Sequence, residues 1–256
     1  MTDPEDKLSS HYGFREVSPE EKGRLVKAHF DRIASYYDRM NTLLSLGIHY
    51  HWKRDAVRRL GLKPGDRVLD LCGGTGDLSV LAARAVGPRG AVVLGDINRR
   101  MMLAGREKLA RAGGGGAISL LQTDAERIAC ASGTFDAAMV GFGIRNVTRW
   151  RQGFQEMVRV LKPGGKFLCL EFSDPTAPWF RALYDLYSFR IMPWLGRLCA
   201  GNSEGYEYLV ESIRLFPKPP DLATLLGDMG LEGVEFRRYT NGIAVAHTGR
   251  KTGGRQ

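Results

Sequence analysis

Cysteine is scarce in this chain. The four among 256 residues, Cys72, Cys130, Cys169 and Cys199, are widely spaced and form no Cys-x-x-Cys pair. That spacing excludes a disulfide scaffold and predicts reduced thiols in mostly apolar surroundings. Histidine is also sparse, at five residues. The one close pair, His49 and His51, has no thiol at ligand spacing, so a surface or packing role is expected and no metal site. No apolar run approaches the length that spans a bilayer. Residues 1–10 are polar and acidic, unlike a secretory signal or a basic presequence, so a cytoplasmic protein is expected. Positive charge is plentiful, at a net +9, but falls in short pairs such as Arg58-Arg59, Arg99-Arg100 and Arg237-Arg238. With no nucleic-acid-binding motif, no nucleic-acid partner is expected. The excess charge reads as a solvated surface or as attraction to an anionic membrane face.

What the chain has is alternation. Val68–Leu71, Ala91–Gly95, Ala117–Leu121, Phe135–Val140 and Lys166–Phe172 read as buried strands. Helical spacing separates most of them, over 78–86, 101–112 and 150–161. Gly113–Gly116 reads as a flexible break. Ahead of the strands, Val26, Phe30, Ile33 and Tyr37 share a helix face, and the segment from Tyr36 to Asn41 reads as the end of that helix. Residues 50–60 predict another helix, with Trp52, Ala56, Val57 and Leu60 inward and Lys53, Arg54, Arg58 and Arg59 outward. Val234–Tyr239 and Ile243–His247 flank a Thr-Asn-Gly turn and predict an antiparallel sheet edge. The expectation is one α/β domain over 1–256, a doubly wound and mostly parallel seven-stranded sheet. Its parts are a helical segment (1–62), a cofactor-binding core (63–172), an aromatic helical lid (173–220) and a closing helix with a strand pair (221–248).

The centre of this plan is Leu69-Asp70-Leu71-Cys72-Gly73-Gly74-Thr75-Gly76-Asp77. A strand runs into a glycine turn and then a helix, the arrangement that cradles a nucleotide-like ligand. Aligned on Gly74 and Gly76, the third glycine of a dinucleotide fingerprint is replaced by Ser79, and no lysine follows as in a P-loop. Acids flank the turn and no cation lies within it. Such a loop suits a nucleoside bearing positive charge, as in S-adenosylmethionine. Asp96, after the second strand, is placed to accept hydrogen bonds from vicinal ribose hydroxyls, and Asp124, after the third, to meet an adenine edge.

These placements resemble the class I S-adenosylmethionine-dependent methyltransferases. The resemblance narrows at Phe142-Gly143-Ile144-Arg145-Asn146-Val147, Arg159–Gly165 and Leu170-Glu171-Phe172-Ser173. Tyr37–Asn41, Gly47-Ile48-His49, Trp52-Lys53-Arg54 and Tyr206–Ile213 carry it further. Together they resemble the quinone-biosynthesis C-methyltransferases, which methylate demethylmenaquinol and polyprenyl methoxy-benzoquinol. The likeness runs from about Gly13 to His247. It implies S-adenosyl-L-methionine as cofactor, held by Asp70, Gly74, Thr75, Gly76, Asp96, Asp124, Ala125 and Gly141. Some members carry a serine at the position of Gly141, where glycine offers only backbone.

The implied substrate is a polyprenylated quinol, with peripheral membrane contact at the inner face and a homodimer as further expectations. The expected catalytic residues are Arg145, Asn146 and Tyr37. Arg145 would stabilise a developing phenolate or orient a water, Asn146 would hold it, and Tyr37 would bound the acceptor. Arginine is itself a poor base. Two other readings stay open: a different small-molecule methyltransferase, and a non-catalytic subunit of a quinone-biosynthesis complex.

Overall fold

The computed structural model describes residues 8–111, 117–191 and 204–253. The expected break at Gly113–Gly116 and the lid residues Met192, Pro193 and Trp194 lie outside them. After a short hairpin, β1 (His11–Tyr12) and β2 (Arg15–Glu16), comes helix α1 (Pro19–Ile33). It starts there because Ser18 accepts the Glu21 amide at 3.1 Å and proline occupies the first turn. Helices α2 (Tyr37–Leu44) and α3 (Ile48–Leu60) follow. Tyr37 therefore opens a helix; it does not close one. The chain turns at 34–36 and carries the tyrosine toward the sheet.

The seven-stranded sheet has the order β5-β4-β3-β6-β7-β9-β8. Its strands are β3 (Arg67–Leu71), β4 (Ala91–Asp96), β5 (Ala117–Gln122), β6 (Phe135–Gly141), β7 (Leu161–Phe172), β8 (Leu231–Tyr239) and β9 (Ala244–Lys251). Neighbours from β5 to β7 pair parallel, and β9 lies antiparallel to both β7 and β8. This is the doubly wound, mostly parallel sheet expected from the alternation. The chain order reverses between β3 and β6, which opens a crevice at their C-terminal ends.

Alternate residues of each central strand serve opposite faces. Leu69, Leu71, Ala138, Val140, Phe167 and Cys169 pack toward Trp150, Phe154 and Met157 of α7 (Trp150–Val160). Val68, Ala137, Met139, Leu168 and Leu170 pack toward Trp52, Ala56 and Leu60 of α3 and toward α4 (Asp77–Val86). Phe216, counted with the lid aromatics, joins the core against Trp150 at 5.7 Å between ring centroids.

The helix expected over 101–112 is broken at Gly105 into α5 (Arg99–Ala104) and α6 (Arg106–Ala110). A Cβ at Gly105 would lie 2.2 Å from the Thr75 carbonyl oxygen. Only glycine lets this segment rest on the glycine turn. Beyond β7 lie α8 (Pro178–Leu186), a π turn (Tyr187–Ile191), α9 (Glu204–Leu215) and α10 (Pro219–Asp228). Among the described residues no helix is long and apolar enough to cross a membrane.

Candidate functional site

Two adjoining cavities lie at the C-terminal ends of β3 and β6. The first, of about 290 Å³, is lined by the glycine turn, Asp70, Asp96, Asp124, Ala125, Gly141 and Asn146. The second, of about 280 Å³, is largely apolar, bounded by Phe30, Ile33, Leu44, Trp52, Phe172 and Ile243. Phe30, Tyr37, Lys53, Phe142 and Asn146 line both. The strand ends here are unusual: Cys72 and Phe142, neither of them glycine, hold φ of +52° and +57°. Such backbone persists only where surrounding packing fixes it, and it clusters at functional sites.

In the first cavity the Asp96 carboxylate accepts the Gly74 amide at 2.8 Å and the Asn98 amide at 2.7 Å. Gly74 and Gly76 sit at φ +54° and +86°. At Gly76 a Cβ would strike Leu109 at 2.4 Å, whereas at Gly74 it would meet only the Met101 methyl, at 3.4 Å. Gly141 cannot gain a side chain without moving Leu78, whose Cδ1 lies 2.6 Å from where a Cβ would stand. Leu78 therefore takes the room a serine would need. Asp124 is exposed and caps the turn by accepting the Glu126 amide at 2.9 Å, while the Ala125 beside it is buried.

Asp77 alters the picture of a turn with an acid on each side. Lys53 reaches it at 2.7 Å, and Lys108 also pairs with it. Burial opposes ionisation, but the two ammonium groups hold the carboxyl down at about 2. Lys53 was expected on the outer face of its helix and is instead buried against the turn. Lys108 bridges to Asp38 at 2.7 Å, and the Thr75 hydroxyl donates to the same Asp38 at 2.5 Å. The N-terminal helices are thus tied to the glycine turn.

Asp70 is the acid left without a cation. Its Oδ2 accepts from the Ser79 hydroxyl at 2.6 Å, while Oδ1 is buried with no hydrogen-bond partner among the described residues. Burial pushes its carboxyl up to about 7 from an ordinary 3.8, assisted by the charges of Asp96 and Asp77. These features fit S-adenosylmethionine: acceptors for ribose hydroxyls at Asp96, a glycine lining the cavity at 74, and a buried carboxylate for a cation at Asp70. A raised folded-state pKa adds stability at low pH that is lost as pH climbs through about 7. A cationic ligand reverses that loss by pairing with the ionised form. Affinity for S-adenosylmethionine is therefore expected to rise between about pH 6 and pH 8, with proton release. Asp70→Asn should flatten that dependence. Calorimetry in buffers of differing ionisation enthalpy measures both, and a wild-type affinity independent of pH would refute the assignment.

In the second cavity Arg145 is buried. Its Nη1 donates to Glu171 Oε1 at 2.6 Å and to the Phe142 carbonyl at 2.8 Å, and its guanidinium lies 5.4 Å from the Phe172 ring centroid. It is thus an ion pair on the cavity wall. Burial pushes Glu171 up, and Arg145 opposes that. Asn146 Oδ1 accepts from the Tyr208 hydroxyl at 2.8 Å, which leaves a buried Nδ2 with no partner among the described residues. Tyr37 stands between the cavities. Burial raises its phenol, and Arg145 and a hydrogen bond from Asn41 pull it back. From the lid, Tyr184, Tyr187 and Leu209 line the acceptor side.

One residue of this wall was not expected there. His49 is buried and lines the second cavity with both ring nitrogens unpartnered. The signal was present in the sequence, because His49 continues the stripe of Trp52, Lys53, Ala56, Val57 and Leu60, all buried on α3.

The family model described as "ubiE/COQ5 methyltransferase family" matches residues 16–251. A relative from Stenotrophomonas maltophilia (strain K279a), "Ubiquinone/menaquinone biosynthesis C-methyltransferase UbiE", is 45% identical over 243 residues, covering 95% of this chain and 96% of its own. A protein of the same name from Methylococcus capsulatus is 44% identical, covering 95% and 98%. Among solved structures, a "SAM-dependent methyltransferase, possible histamine N-methyltransferase" from Thermotoga maritima has a TM-score of 0.59 at 18% identity, covering 89% of this chain and 100% of that one. That last likeness concerns the fold alone.

Proposed function

The chain belongs to the ubiE/COQ5 methyltransferase family, and we propose that it moves the methyl group of S-adenosylmethionine onto a ring carbon of a polyprenylated quinol in ubiquinone or menaquinone biosynthesis. The observation that carries this reading is the pair of adjoining cavities, one acid-lined and one apolar, with Tyr37, Phe142 and Asn146 between them. S-adenosylmethionine supplies, when bound, a methyl carbon already activated by its sulfonium. The protein's work is to align the acceptor and exclude water, which lowers the barrier chiefly through orientation.

Each wall residue has a part in that alignment. Phe142, Phe172 and Trp52 offer flat apolar surface to a quinol ring. Asn146 Nδ2 offers a hydrogen bond to a ring oxygen at the junction of the two cavities. The guanidinium of Arg145, already felt by the Tyr37 and Tyr208 hydroxyls, favours negative charge developing on that oxygen.

A long apolar tail needs an exit. Leu44, Leu46 and Ile48 line the acceptor cavity, and Leu46 is 92% exposed. Trp179, Leu183 and Leu186 form an exposed stripe on α8. The Tyr187 hydroxyl donates to the Leu44 carbonyl at 2.6 Å and joins these two apolar edges. Arg39, Arg54 and Arg181 are exposed on the same helices. The combination suits peripheral contact with an anionic bilayer, where the tail would remain. One experiment tests both points: demethylmenaquinol and unmethylated methoxy-benzoquinol are presented in anionic vesicles, with methyl transfer followed by mass and the protein by flotation. A mass gain of one methyl group, with protein floating alongside the vesicles, is expected. No transfer to either quinol would remove the reading.

A further inference from the structure

Quinol ring methylation needs a proton acceptor, and most titratable groups on the acceptor wall are already engaged. Lys53 is paired with Asp77, and Arg145 with Glu171. The His29 ring packs against Phe30 and Tyr208. Burial drives the phenols of Tyr37, Tyr184, Tyr187 and Tyr208 upward, so they keep their protons. No carboxylate lines this cavity among the described residues.

His49 differs from all of these. It is 4% exposed, and neither Nδ1 nor Nε2 has a partner among the described residues. A neutral imidazole carries one donor and one acceptor, and burying both unmatched costs free energy. A hydroxyl in the cavity that donates to the acceptor nitrogen relieves its share of that cost. The ring is held in place by Tyr50, at 3.9 Å between centroids, and by its position one turn before Trp52 and Lys53 on α3.

Resting on the quinol reading above, we propose that His49 is the general base that receives the ring hydroxyl proton as the carbon–carbon bond forms. The ring carbon's π pair makes the bond to the methyl carbon, and sulfur keeps the pair of the bond that breaks. The O–H pair becomes a carbonyl π bond as the proton passes to the imidazole. Loss of the ring C–H proton to water then returns the oxygen to phenolate, which takes the proton back from the imidazolium. One proton is released overall.

The surroundings suit that task. Burial and the neighbouring Lys53 hold the imidazole down at about 4, with Lys108 adding to this and Asp77 and Asp38 opposing it. Arg145, which lines the same cavity, is already paired with Glu171. His49 is therefore neutral and able to accept at any pH near 7. It does not need to be a strong base, because the hydroxyl becomes strongly acidic only while the ring carbon is gaining its methyl group.

The test is His49→Ala, with His49→Gln as a second variant, measured with the acceptor that wild type methylates. Methyl transfer is expected to fall about 100- to 10,000-fold, with S-adenosylmethionine affinity unchanged. Added imidazole should restore turnover in the alanine variant, and the rescue should track the neutral form of the imidazole. A folded variant within threefold of wild type would overturn the proposal, as would a loss in both variants that imidazole leaves unrepaired. If wild type methylates no quinol, it is the functional reading that fails.

Discussion

Asp96→Asn is expected to weaken S-adenosylmethionine binding by about 100- to 1000-fold, with the sheet intact. Asp96 ends β4 and holds two backbone amides, those of Gly74 and Asn98. Those bonds fix the carboxylate against the glycine turn, with its remaining lone pairs available to vicinal hydroxyls. Hydrogen bonds to a charged group contribute about 1.5–3 kcal/mol each, so losing one and weakening the other, now to a neutral oxygen, removes about 3–4 kcal/mol. Asparagine also sets an NH2 donor against one of the two amide donors, so the turn loses an anchor. Titration calorimetry gives the affinity, and thermal unfolding of the unliganded protein checks the fold. A dissociation constant within threefold of wild type would remove Asp96 from the cofactor site.

The second large effect is on stability. Arg145→Met leaves Glu171 buried without its cation, and breaking such a pair costs about 3–5 kcal/mol. For a chain of this size that corresponds to a melting point lower by about 6–20 °C. The deficit should be smaller at pH 5 than at pH 8. Burial already raises the Glu171 carboxyl, and without Arg145 it rises further. A group with a raised folded-state pKa gives stability that is present at low pH and lost as pH climbs. Arg145→Met combined with Glu171→Met should recover most of the loss, because a buried pair can be replaced by packed apolar groups at little net cost. A single variant that melts with wild type would contradict the buried pair. Turnover of the stable double variant then reports what Arg145 contributes to the reaction apart from folding.

The sheet was legible because its signal is local. Val68–Leu71 and Phe135–Val140 are short apolar runs bounded by turns, and helical spacing separates most such runs. The glycine turn was legible for the same reason, since glycines so closely spaced supply the positive φ that Gly74 and Gly76 adopt in the turn. What escaped depended on partners distant in sequence. Nothing around Gly105 announces that it rests on the Thr75 carbonyl. Lys53 looks like a solvated charge until Asp77 is brought to it across 24 residues. Arg145 and Glu171 were each visible in a motif, but only the closing of β6 against β7 makes them one buried unit. His49 is the instructive miss. Its spacing placed it on the inward face of α3, where a surface or packing role was expected and a place on the cavity wall was not. A polar residue on an apolar stripe, with no evident partner, was the mark of a ligand-facing position.

The sheet order also has a consequence for how the protein is made. β9 occupies an interior place between β7 and β8, yet it follows both of them in the chain. During synthesis β7 emerges well before the strand that covers its outer edge. Until β9 arrives, the apolar segment Phe167–Leu170 presents unpaired amides and carbonyls, an invitation to pairing with other chains. In the finished sheet Glu171 stands opposite Val245 of that late strand. The strand beside the buried ion pair is therefore laid down only after β8.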